Sequence, residues 1–253
     1  MKLLICGKGG CGKSTVSVLL ARAMRNRGRR VLLVDADESN IGLYRMLGQE
    51  MPEPLLDSLG GKRGFREKTA PGRSLGGPPA LFPQGMLMDA LPGKCISTVD
   101  GIRVMSVGKI HHFGEGCACP MGRLFRMLFS SLALEKNDRV IVDAAAGVEH
   151  FGRSLDGQCD LVLCVVDPSY ESIMMSKRVT AFAQEAGLPA YIVLNRMAPD
   201  VEKELHTALD SVNIVGSLPE SRALFLNTLK GRPLDPDPSG IESVCDALEA
   251  VDI

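Results

Sequence analysis

The stretch that decides the fold is GKGGCGKST, residues 7–15, which directly follows a short apolar segment at residues 2–6. It satisfies the pattern G-x-x-x-x-G-K-[S/T]. Its glycines let backbone N–H groups turn toward an anion, and the helix that follows adds the positive end of its dipole. The stretch therefore predicts a phosphate-binding loop between a first strand and a first helix. The alternative is a glycine turn that only begins a helix.

Within this loop the residue types suggest separate tasks. We expect Lys13 to reach the β and γ phosphates of a nucleotide, and the hydroxyl of Ser14 to bind Mg²⁺. Cys11, at a variable position of the pattern, is expected to fill space as a small buried residue rather than to act in redox chemistry. The nucleotide-binding residues predicted from the loop are Gly9, Gly10, Cys11, Gly12, Lys13, Ser14 and Thr15.

Apolar segments continue to alternate with amphipathic ones along the chain. A strand at 2–6, a helix with an apolar face and a strand at 30–34 form a βαβ unit, whose right-handed crossover makes the two strands parallel. Further strands are predicted at 139–142, 161–166, 190–194 and 214–215, and helices at roughly 121–134, 169–186, 200–210, 219–230 and 240–251. Because the strands are apolar on both faces, the predicted fold class is α/β, with a doubly wound, mostly parallel sheet covered by helices on both faces, as in P-loop NTPases.

The length of 253 residues suits one large domain, and we expect residues 1–253 to form a single ATPase domain. Residues 51–94 interrupt the alternation with many prolines and glycines, and they are interpreted as a long surface insertion. Two short segments at 94–97 and 102–107 flank Asp100-Gly101, and this pattern predicts a hairpin that returns the chain to the sheet.

The charge balance argues against some classes of partner. Lys plus Arg number 29 and Asp plus Glu number 30, so the overall charge attracts neither nucleic acid nor an anionic membrane. The longest apolar run, residues 161–166, is too short to cross a bilayer, and residues 3–6 are too few for a signal-peptide core. A cytoplasmic location is therefore expected. The eight cysteines lack a disulfide framework, so most are expected to be reduced and buried.

Polar residues end several of the predicted strands. Asp35 and Asp37 end the second strand, and Asp143 and Asn195 end later ones. Ligands of open α/β sheets bind outside the carboxyl ends of the strands, so these side chains are expected to face a nucleotide. Asp143 is expected on the Mg²⁺ side, and Gly147 as a hinge that responds to the γ phosphate. The alternatives are a helix cap for Asp37 and plain turns for Asp143 and Asn195.

A second motif, EGCACPMG at residues 115–122, holds Cys117 and Cys119 one residue apart. In an extended backbone, which Pro120 and the glycines favour, both thiolates would point the same way. Two sulfurs are half of a tetrahedral site, and a C₂ homodimer would supply the other pair, giving Cys₄ coordination for Zn²⁺ or Ni²⁺. The alternatives are two reduced surface cysteines, a redox pair or a bridging iron–sulfur cluster. His111 and His112, just upstream, are either accessory ligands or exposed polar residues.

Lys8 is a second lysine in the phosphate loop, and it relates the loop to a known superfamily. The order Lys-Gly-Gly-x-Gly-Lys-Ser, beginning at Lys8, resembles the deviant phosphate loop of the MinD, ParA and nitrogenase iron protein superfamily. In that superfamily the first lysine crosses a dimer interface to the partner's nucleotide, so the resemblance implies a homodimer that sandwiches ATP. It also implies that Lys8 stabilises charge on the transferring phosphoryl group, that Asp37 positions the attacking water, and that Asn195 recognises the base.

Within the superfamily, GVEHFGR at residues 147–153, the phosphate loop, VDAD and the Cys-x-Cys element together resemble the CooC-type ATPases. Members of that family help to insert nickel into carbon monoxide dehydrogenase. The resemblance implies a metallochaperone ATPase that uses ATP and Mg²⁺, holds Ni²⁺ or Zn²⁺ on Cys117 and Cys119 across the dimer, and has carbon monoxide dehydrogenase as its client. The family usually carries Asp-x-Glu-Ala-Gly in its second switch, where this chain has Ala145 in place of the glutamate.

Two other functions are compatible with the same loop. An iron–sulfur electron carrier or scaffold like the nitrogenase iron protein would need more widely spaced cysteines, one of them soon after Asp143. A MinD- or ParA-like positioning ATPase would need a basic amphipathic tail or a basic stripe. The final thirteen residues, IESVCDALEAVDI, contain four acidic residues and no basic one. Five arginines cluster between residues 22 and 30, but several of them lie at the end of the first helix, where cations offset its dipole. We therefore expect neither nucleic acid nor membrane as a partner.

Overall fold

A computed structural model of the chain describes residues 1–70, 81–112, 119–147, 158–209, 213–234 and 239–251. In these ranges eight strands form one sheet in the order β3-β4-β2-β5-β1-β6-β7-β8. Every neighbouring pair is parallel except β3 and β4, which form an antiparallel hairpin. The strands are β1 Lys2–Gly7, β2 Arg30–Ala36, β3 Ile96–Val99, β4 Ile102–Ser106, β5 Asp138–Ala144, β6 Leu161–Val166, β7 Ala190–Met197 and β8 Ile214–Pro219.

Helices cover both faces of this sheet. Leu3 and Ile5 of β1 enter one apolar core, while Leu4 and Cys6 enter the other, because successive side chains of a strand point to opposite faces. The doubly wound α/β fold predicted from the sequence is thus confirmed. The helices of the described ranges are α1 Lys13–Asn26, α2 Leu43–Met46, α3 Leu55–Ser58, α4 Gly61–Thr69, α5 Cys119–Ser131, α6 Tyr170–Glu185, α7 Pro199–Ala208, α8 Arg222–Leu229 and α9 Ile241–Glu249, with 3₁₀ turns at Met88–Ala90 and Gly93–Cys95.

The parallel arrangement brings the carboxyl ends of the strands to one edge. The first strand, β1, lies between β5 and β6, and β2 lies on the other side of β5. In the β2–β5 ladder Asp35 is the direct partner of Asp143. The phosphate loop, which follows β1, therefore emerges beside the two aspartates.

Residues 51–94 differ from the expected surface insertion. In the described part of this segment, side chains from α3, α4 and the first 3₁₀ turn are buried in the same core as α5, and the expectation of a surface position is wrong for these residues. Proline and glycine form turns in this segment, but the apolar residues between them pack in the same core as α5. The buried residues are Leu55, Leu56, Phe65, Phe82, Met86, Met88 and Leu91.

The hairpin predicted around Asp100-Gly101 is confirmed. Asp100 and Gly101 have φ angles of 48° and 78°, and the pairing runs from Val99 with Ile102 to Ile96 with Met105. Positive φ at both central residues is typical of a two-residue type I′ turn, whose twist matches that of the strands. No helix of the described ranges is both long and apolar enough to cross a membrane.

Candidate functional site

The phosphate loop joins β1 to α1 with a backbone that glycine alone accepts. Gly10 and Gly12 have φ angles of 81° and 99°. A Cβ atom on Gly12 would also lie 2.2 Å from Nδ2 of Asn195. Both the positive φ angle and this close approach therefore favour glycine at position 12. Gly12 caps α1 without a side-chain hydrogen bond, which leaves the first N–H groups of the helix for an anion.

The predicted phosphate lysine, Lys13, is buried at the start of α1, with 7% of its surface exposed. Its ammonium donates a hydrogen bond of 3.3 Å to the backbone carbonyl of Lys8 in the same loop. A lysine ammonium has three donors, so this contact leaves capacity for phosphate oxygens. The loop thus brings one buried cation to the place where the sequence predicts nucleotide phosphates.

Asp143 is fully buried and receives hydrogen bonds from three directions. The hydroxyls of Ser14 and Ser17 donate to its two oxygens at 2.6 and 3.1 Å, and Nδ2 of Asn40 donates at 3.2 Å. Asn40 also donates to Ser14 Oγ at 2.8 Å. Burial raises the pKa of Asp143, and the serine hydrogen bonds oppose that shift.

This arrangement fits the predicted Mg²⁺ position, because a carboxylate beside a serine hydroxyl offers the oxygen ligands that Mg²⁺ prefers. A divalent cation would also offset the burial of the Asp143 charge. Ser14 and Asp143 were predicted here from the sequence, whereas Ser17 and Asn40 were not. Ser17 lies one helical turn after Lys13, and Asn40 lies three residues after Asp37. Their spacing from these predicted site residues could have indicated that both lie near the site.

Lys109 is a second buried cation that sequence reasoning did not find. Its ammonium lies 2.6 Å from Oδ2 of Asp35 and donates a hydrogen bond of 2.5 Å to the backbone carbonyl of Asp37. Burial raises the pKa of Asp35 to about 7; Lys109 opposes this shift, and the neighbouring Asp143 adds to it. In the sequence this lysine stands 72 residues after Asp37 and is not part of a recognisable motif.

Asp37, the predicted switch aspartate, closes a local turn. Its Oδ1 accepts hydrogen bonds from the backbone N–H of Ser39 at 2.9 Å and from the Ser39 hydroxyl at 2.6 Å. The next helix, α2, begins at Leu43, so Asp37 does not cap it. The carboxylate is held at the same edge of the sheet as Asp143.

Asn195 and Gly147 complete the predicted nucleotide residues. Nδ2 of Asn195 donates a hydrogen bond of 2.8 Å to the carbonyl of Cys11, so this buried amide braces the phosphate loop. Recognition of the base by Asn195 stays a prediction. Gly147 has a φ angle of 109°, a conformation that side chains rarely adopt, and its role as a hinge stays a prediction.

A family model described as the CobQ/CobB/MinD/ParA nucleotide binding domain matches residues 3–234. The chain belongs to this family. The match spans the phosphate loop, both aspartate-ended strands and Asn195. This member of the CobQ/CobB/MinD/ParA family is a P-loop ATPase.

Similar proteins are consistent with the assignment of this chain to the family. The chain is 37% identical to an uncharacterized ATP-binding protein of Methanocaldococcus jannaschii over 98% of this chain and 99% of the relative. It is 30% identical to the carbon monoxide dehydrogenase accessory protein CooC of Rhodospirillum rubrum, over 88% and 85% of the two chains. Among solved structures, the septum site-determining protein MinD of Pyrococcus horikoshii, complexed with Mg-ADP, has the same fold, with a TM-score of 0.67 and 20% identity over 99% and 95% of the chains.

Lys8 of this ATPase contacts its own chain. Its ammonium donates to Ser169 Oγ at 3.2 Å and lies 3.3 Å from a carboxylate oxygen of Glu171, at the start of α6. The Glu171 side chain is 77% exposed, so water screens this ion pair and its strength is small. The predicted contact of Lys8 with a partner's nucleotide stays a prediction.

The cysteines of the ATPase divide by exposure. Cys119 is exposed and is the first residue of α5, whereas six other cysteines are buried: Cys6, Cys11, Cys95, Cys159, Cys164 and Cys245. The extended backbone expected at Cys119 is wrong, because Pro120 occupies the first turn of a helix, where its missing N–H costs nothing. The other half of the motif, Cys117, lies outside the described residues.

The described ranges contain no cluster of three or more Cys, His, Asp or Glu residues that could hold a metal ion. Nε2 of His111 instead lies 3.0 Å from a carboxylate oxygen of Asp57 on α3, and His112 is exposed. Glu149, His150 and Arg153 of the GVEHFGR motif lie outside the described residues. Burial raises the pKa of the Cys11 thiol to about 12, in keeping with its predicted role as a small filling residue.

Proposed function

We propose that this ATPase is a metallochaperone that dimerises with ATP and metal and assists nickel insertion into carbon monoxide dehydrogenase. The observation that carries the proposal is the exposed Cys119 at the first turn of α5, in a chain whose other described cysteines are buried. The CooC accessory protein, 30% identical, supports the choice of client. We further propose that residues 1–253 act as a single ATPase domain.

Hydrolysis is assigned to the residues gathered at the carboxyl edge of the sheet. Lys13 and the backbone N–H groups of the phosphate loop would bind the phosphates, and Asp37 would orient the attacking water. Ser14 and Asp143 would hold Mg²⁺, which neutralises charge on the phosphate oxygens when it is bound. Gly147 would respond to the γ phosphate, and the amide of Asn195 would recognise the base.

Dimerisation is assigned to Lys8. In the single chain its ammonium pairs with a largely exposed glutamate, a contact of at most about 1 kcal/mol. Such a contact is easily exchanged for the phosphates of a nucleotide on a second chain, which carry more negative charge than one carboxylate and accept charge-assisted hydrogen bonds from an ammonium. The exchange would supply a cation to the transferring phosphoryl group only when two chains meet.

The metal is proposed as cargo held between the two chains. Each chain would contribute Cys117 and Cys119, so that four thiolates meet at the two-fold axis and hold Ni²⁺ or Zn²⁺. Cys119 is exposed at the first turn of α5, so its sulfur is accessible to a metal ion and to a second chain. ATP binding would close the dimer around the metal, and hydrolysis would reopen it for delivery.

The contacts of the arginines weaken the case for a nucleoid-binding ATPase. Arg27 and Arg29, at the end of α1, pair with Glu242, Asp246 and Glu249 of α9. Arg30 pairs with Asp89, Glu135 and Asp138. Each of these arginines already has acidic partners within the fold, which supports the metallochaperone proposal over a DNA-binding one.

The proposal is tested by measuring bound metal in protein purified anaerobically. We expect the wild-type chain to bind about half an equivalent of Ni²⁺ or Zn²⁺, as a site shared by two subunits requires. The double variant Cys117→Ser/Cys119→Ser should lose it. Cys245→Ala, which removes a thiol from the buried face of α9, is the matched control and should retain it. Unchanged metal content in the double serine variant contradicts the proposed site.

A further inference from the structure

Lys109 occupies an unusual position, because it is a buried cation outside the phosphate loop. It follows the end of β4 and only 4% of its surface is exposed. Apart from Lys13, it is the only lysine or arginine buried to this degree among the described residues. Burying an ammonium costs several kcal/mol unless it is paired, so its position calls for an explanation beyond packing.

The ammonium of Lys109 makes two different contacts. One is an ion pair of 2.6 Å with the carboxylate of Asp35, which compensates the buried charge. The other is a hydrogen bond of 2.5 Å to the backbone carbonyl of Asp37. Charge compensation alone needs only the first contact. The second fixes the peptide group of the residue that the proposed function assigns to the attacking water.

The backbone around Lys109 strengthens this attachment. The N–H of Val107 donates to the carbonyl of Asp35 at 3.0 Å, and the N–H of Ile110 donates to the carbonyl of Glu38 at 3.2 Å. The segment from Val107 to Ile110 thus runs beside residues 35–38 and holds them on both sides of Asp37. The side chain of Asp37 is fixed separately, because the backbone N–H and the hydroxyl of Ser39 both donate hydrogen bonds to its carboxylate.

We infer that Lys109 is a positioning residue for ATP hydrolysis, which fixes the backbone of Asp37 so that its carboxylate meets the attacking water. The inference rests on the proposed role of Asp37. A misplacement of about 1 Å in a catalytic group can lower a rate about 100-fold, so one buried hydrogen bond on this peptide is enough to matter. Nucleotide binding depends instead on the phosphate loop, which Lys109 does not contact through either of these bonds.

The simpler explanation is that Lys109 only compensates the charge of Asp35. Loss of Lys109 alone would leave that carboxylate buried beside Asp143, its direct partner in the sheet, and would destabilise the fold. A single variant therefore cannot separate the two explanations. The neutral pair Asp35→Asn/Lys109→Met can, because it leaves no charge uncompensated at these two positions. Its asparagine keeps a side-chain oxygen to accept the backbone N–H of Asp37, as Asp35 Oδ1 does at 3.2 Å, so the contact that is lost is the donor to the Asp37 carbonyl.

The experiment compares steady-state ATP hydrolysis and melting temperature for the wild type, Lys109→Met, Asp35→Asn and the double variant. We expect Lys109→Met to melt lower, and the double variant to recover most of that loss. The kcat of the double variant should nevertheless stay about 10- to 100-fold below that of the wild type, with KM for ATP changed less than about threefold. Lys2→Met is the matched control, because Lys2 also donates to a carbonyl, that of Phe129 at 2.7 Å, but lies at the opposite end of β1 from the loop.

A double variant that recovers its melting temperature and hydrolyses ATP within about twofold of the wild-type kcat overturns the inference. A loss expressed in KM rather than kcat also overturns it, since this would indicate nucleotide binding. Asp37→Asn, measured in parallel, separates this inference from the function on which it rests. If Asp37→Asn hydrolyses ATP at the wild-type rate, the role of Asp37 fails; if only the double variant is unimpaired, the role of Lys109 alone fails.

Discussion

Burial decides which thiols of this chain can react. Cys11, Cys159 and Cys245 are buried, and burial raises the pKa of each to about 12, so almost no thiolate is present near neutral pH. Cys119 is exposed at the first turn of α5. The position of Cys11 in the phosphate loop therefore does not make it reactive.

We predict that iodoacetamide at pH 7.5 alkylates Cys119 at least about tenfold faster than Cys11 in the folded protein, because the thiolate is the attacking species and, of these two cysteines, Cys119 is the exposed one. Peptide mass spectrometry over a time course measures both sites. Unfolding in guanidinium chloride should make the two rates similar, which controls for local sequence. Equal rates in the folded protein would show that the phosphate loop opens to solvent.

Single residues of the site were predictable only where a local pattern carried them. Ser14 and Lys13 follow from the phosphate-loop pattern, and Asp143 from its place at the end of an apolar strand. Lys109 could not be predicted, because its partner Asp35 lies 74 residues away and no spacing rule connects them. The pairing of β2 with β4 in the sheet brings these two residues together.

At the scale of elements, α9 is held to the rest of the fold by charge as well as by its apolar face. Glu249 accepts a hydrogen bond of 2.6 Å from Arg29 and lies within 3.7 Å of Arg27 and Arg139. The hydrogen bond from Arg29 lowers the pKa of Glu249 below its ordinary value of 4.5, while burial opposes the shift. The acidic character of the last helix therefore has a structural cause.

Because the folded state lowers this pKa, the contribution of Glu249 to stability is complete above about pH 4.5 and is lost as the pH falls through the lower folded value. We predict that Glu249→Gln lowers the free energy of unfolding by about 1 kcal/mol at pH 7 and by much less at pH 3. Urea titrations at the two pH values measure it. Glu204→Gln, at an exposed position of α7, is the control. An equal loss of stability at both pH values would show that Glu249 does not stabilise the fold through its charge.

Within residues 51–70, Leu55, Leu56 and Phe65 belong to the apolar core. Phe65 of α4 is 1% exposed, and the guanidinium of Arg123 on α5 lies 5.8 Å from the centre of its ring. The segment thereby packs against the helix that begins at Cys119. Any change that loosens α4 is expected to loosen the support of that helix.

We predict that Phe65→Ala lowers the free energy of unfolding by about 3 kcal/mol, the usual cost of a cavity of this size in a well-packed core. Phe225→Ala removes the same ring from α8, where the side chain is 57% exposed, and should cost less than about 1 kcal/mol. Chemical denaturation of the two variants provides the comparison. Similar small losses for both would show that residues 51–70 lie outside the cooperative core.

Elements were predictable to different degrees for physical reasons. The hairpin at Asp100-Gly101 was predictable, because its turn demands particular residues. The start of α5 at Cys119 was not, because glycine and proline near a helix start resemble those of a loop, and Pro120 is tolerated in a first turn. The burial of residues 55, 56 and 65 was missed because it depends on a core shared with α5.

At the scale of the whole molecule, the parallel sheet gathers chain segments that are far apart in sequence. The phosphate loop, the turn at Asp37, Asp143 and Asn195 meet at one edge of the sheet, as the order of the strands requires. This general arrangement was predictable from alternating apolar segments. The second chain that would receive Lys8 was inferred from resemblance.

The central claim is that ATP and metal together join two chains through Lys8 and the Cys-x-Cys motif. Light scattering of anaerobically purified protein, with Ni²⁺ or Zn²⁺ and with or without ATP, measures the mass directly. We predict twice the chain mass and about half an equivalent of metal per chain with ATP, and a smaller mass for Lys8→Ala under the same conditions. A wild-type mass that stays that of one chain with both ATP and metal would contradict the account.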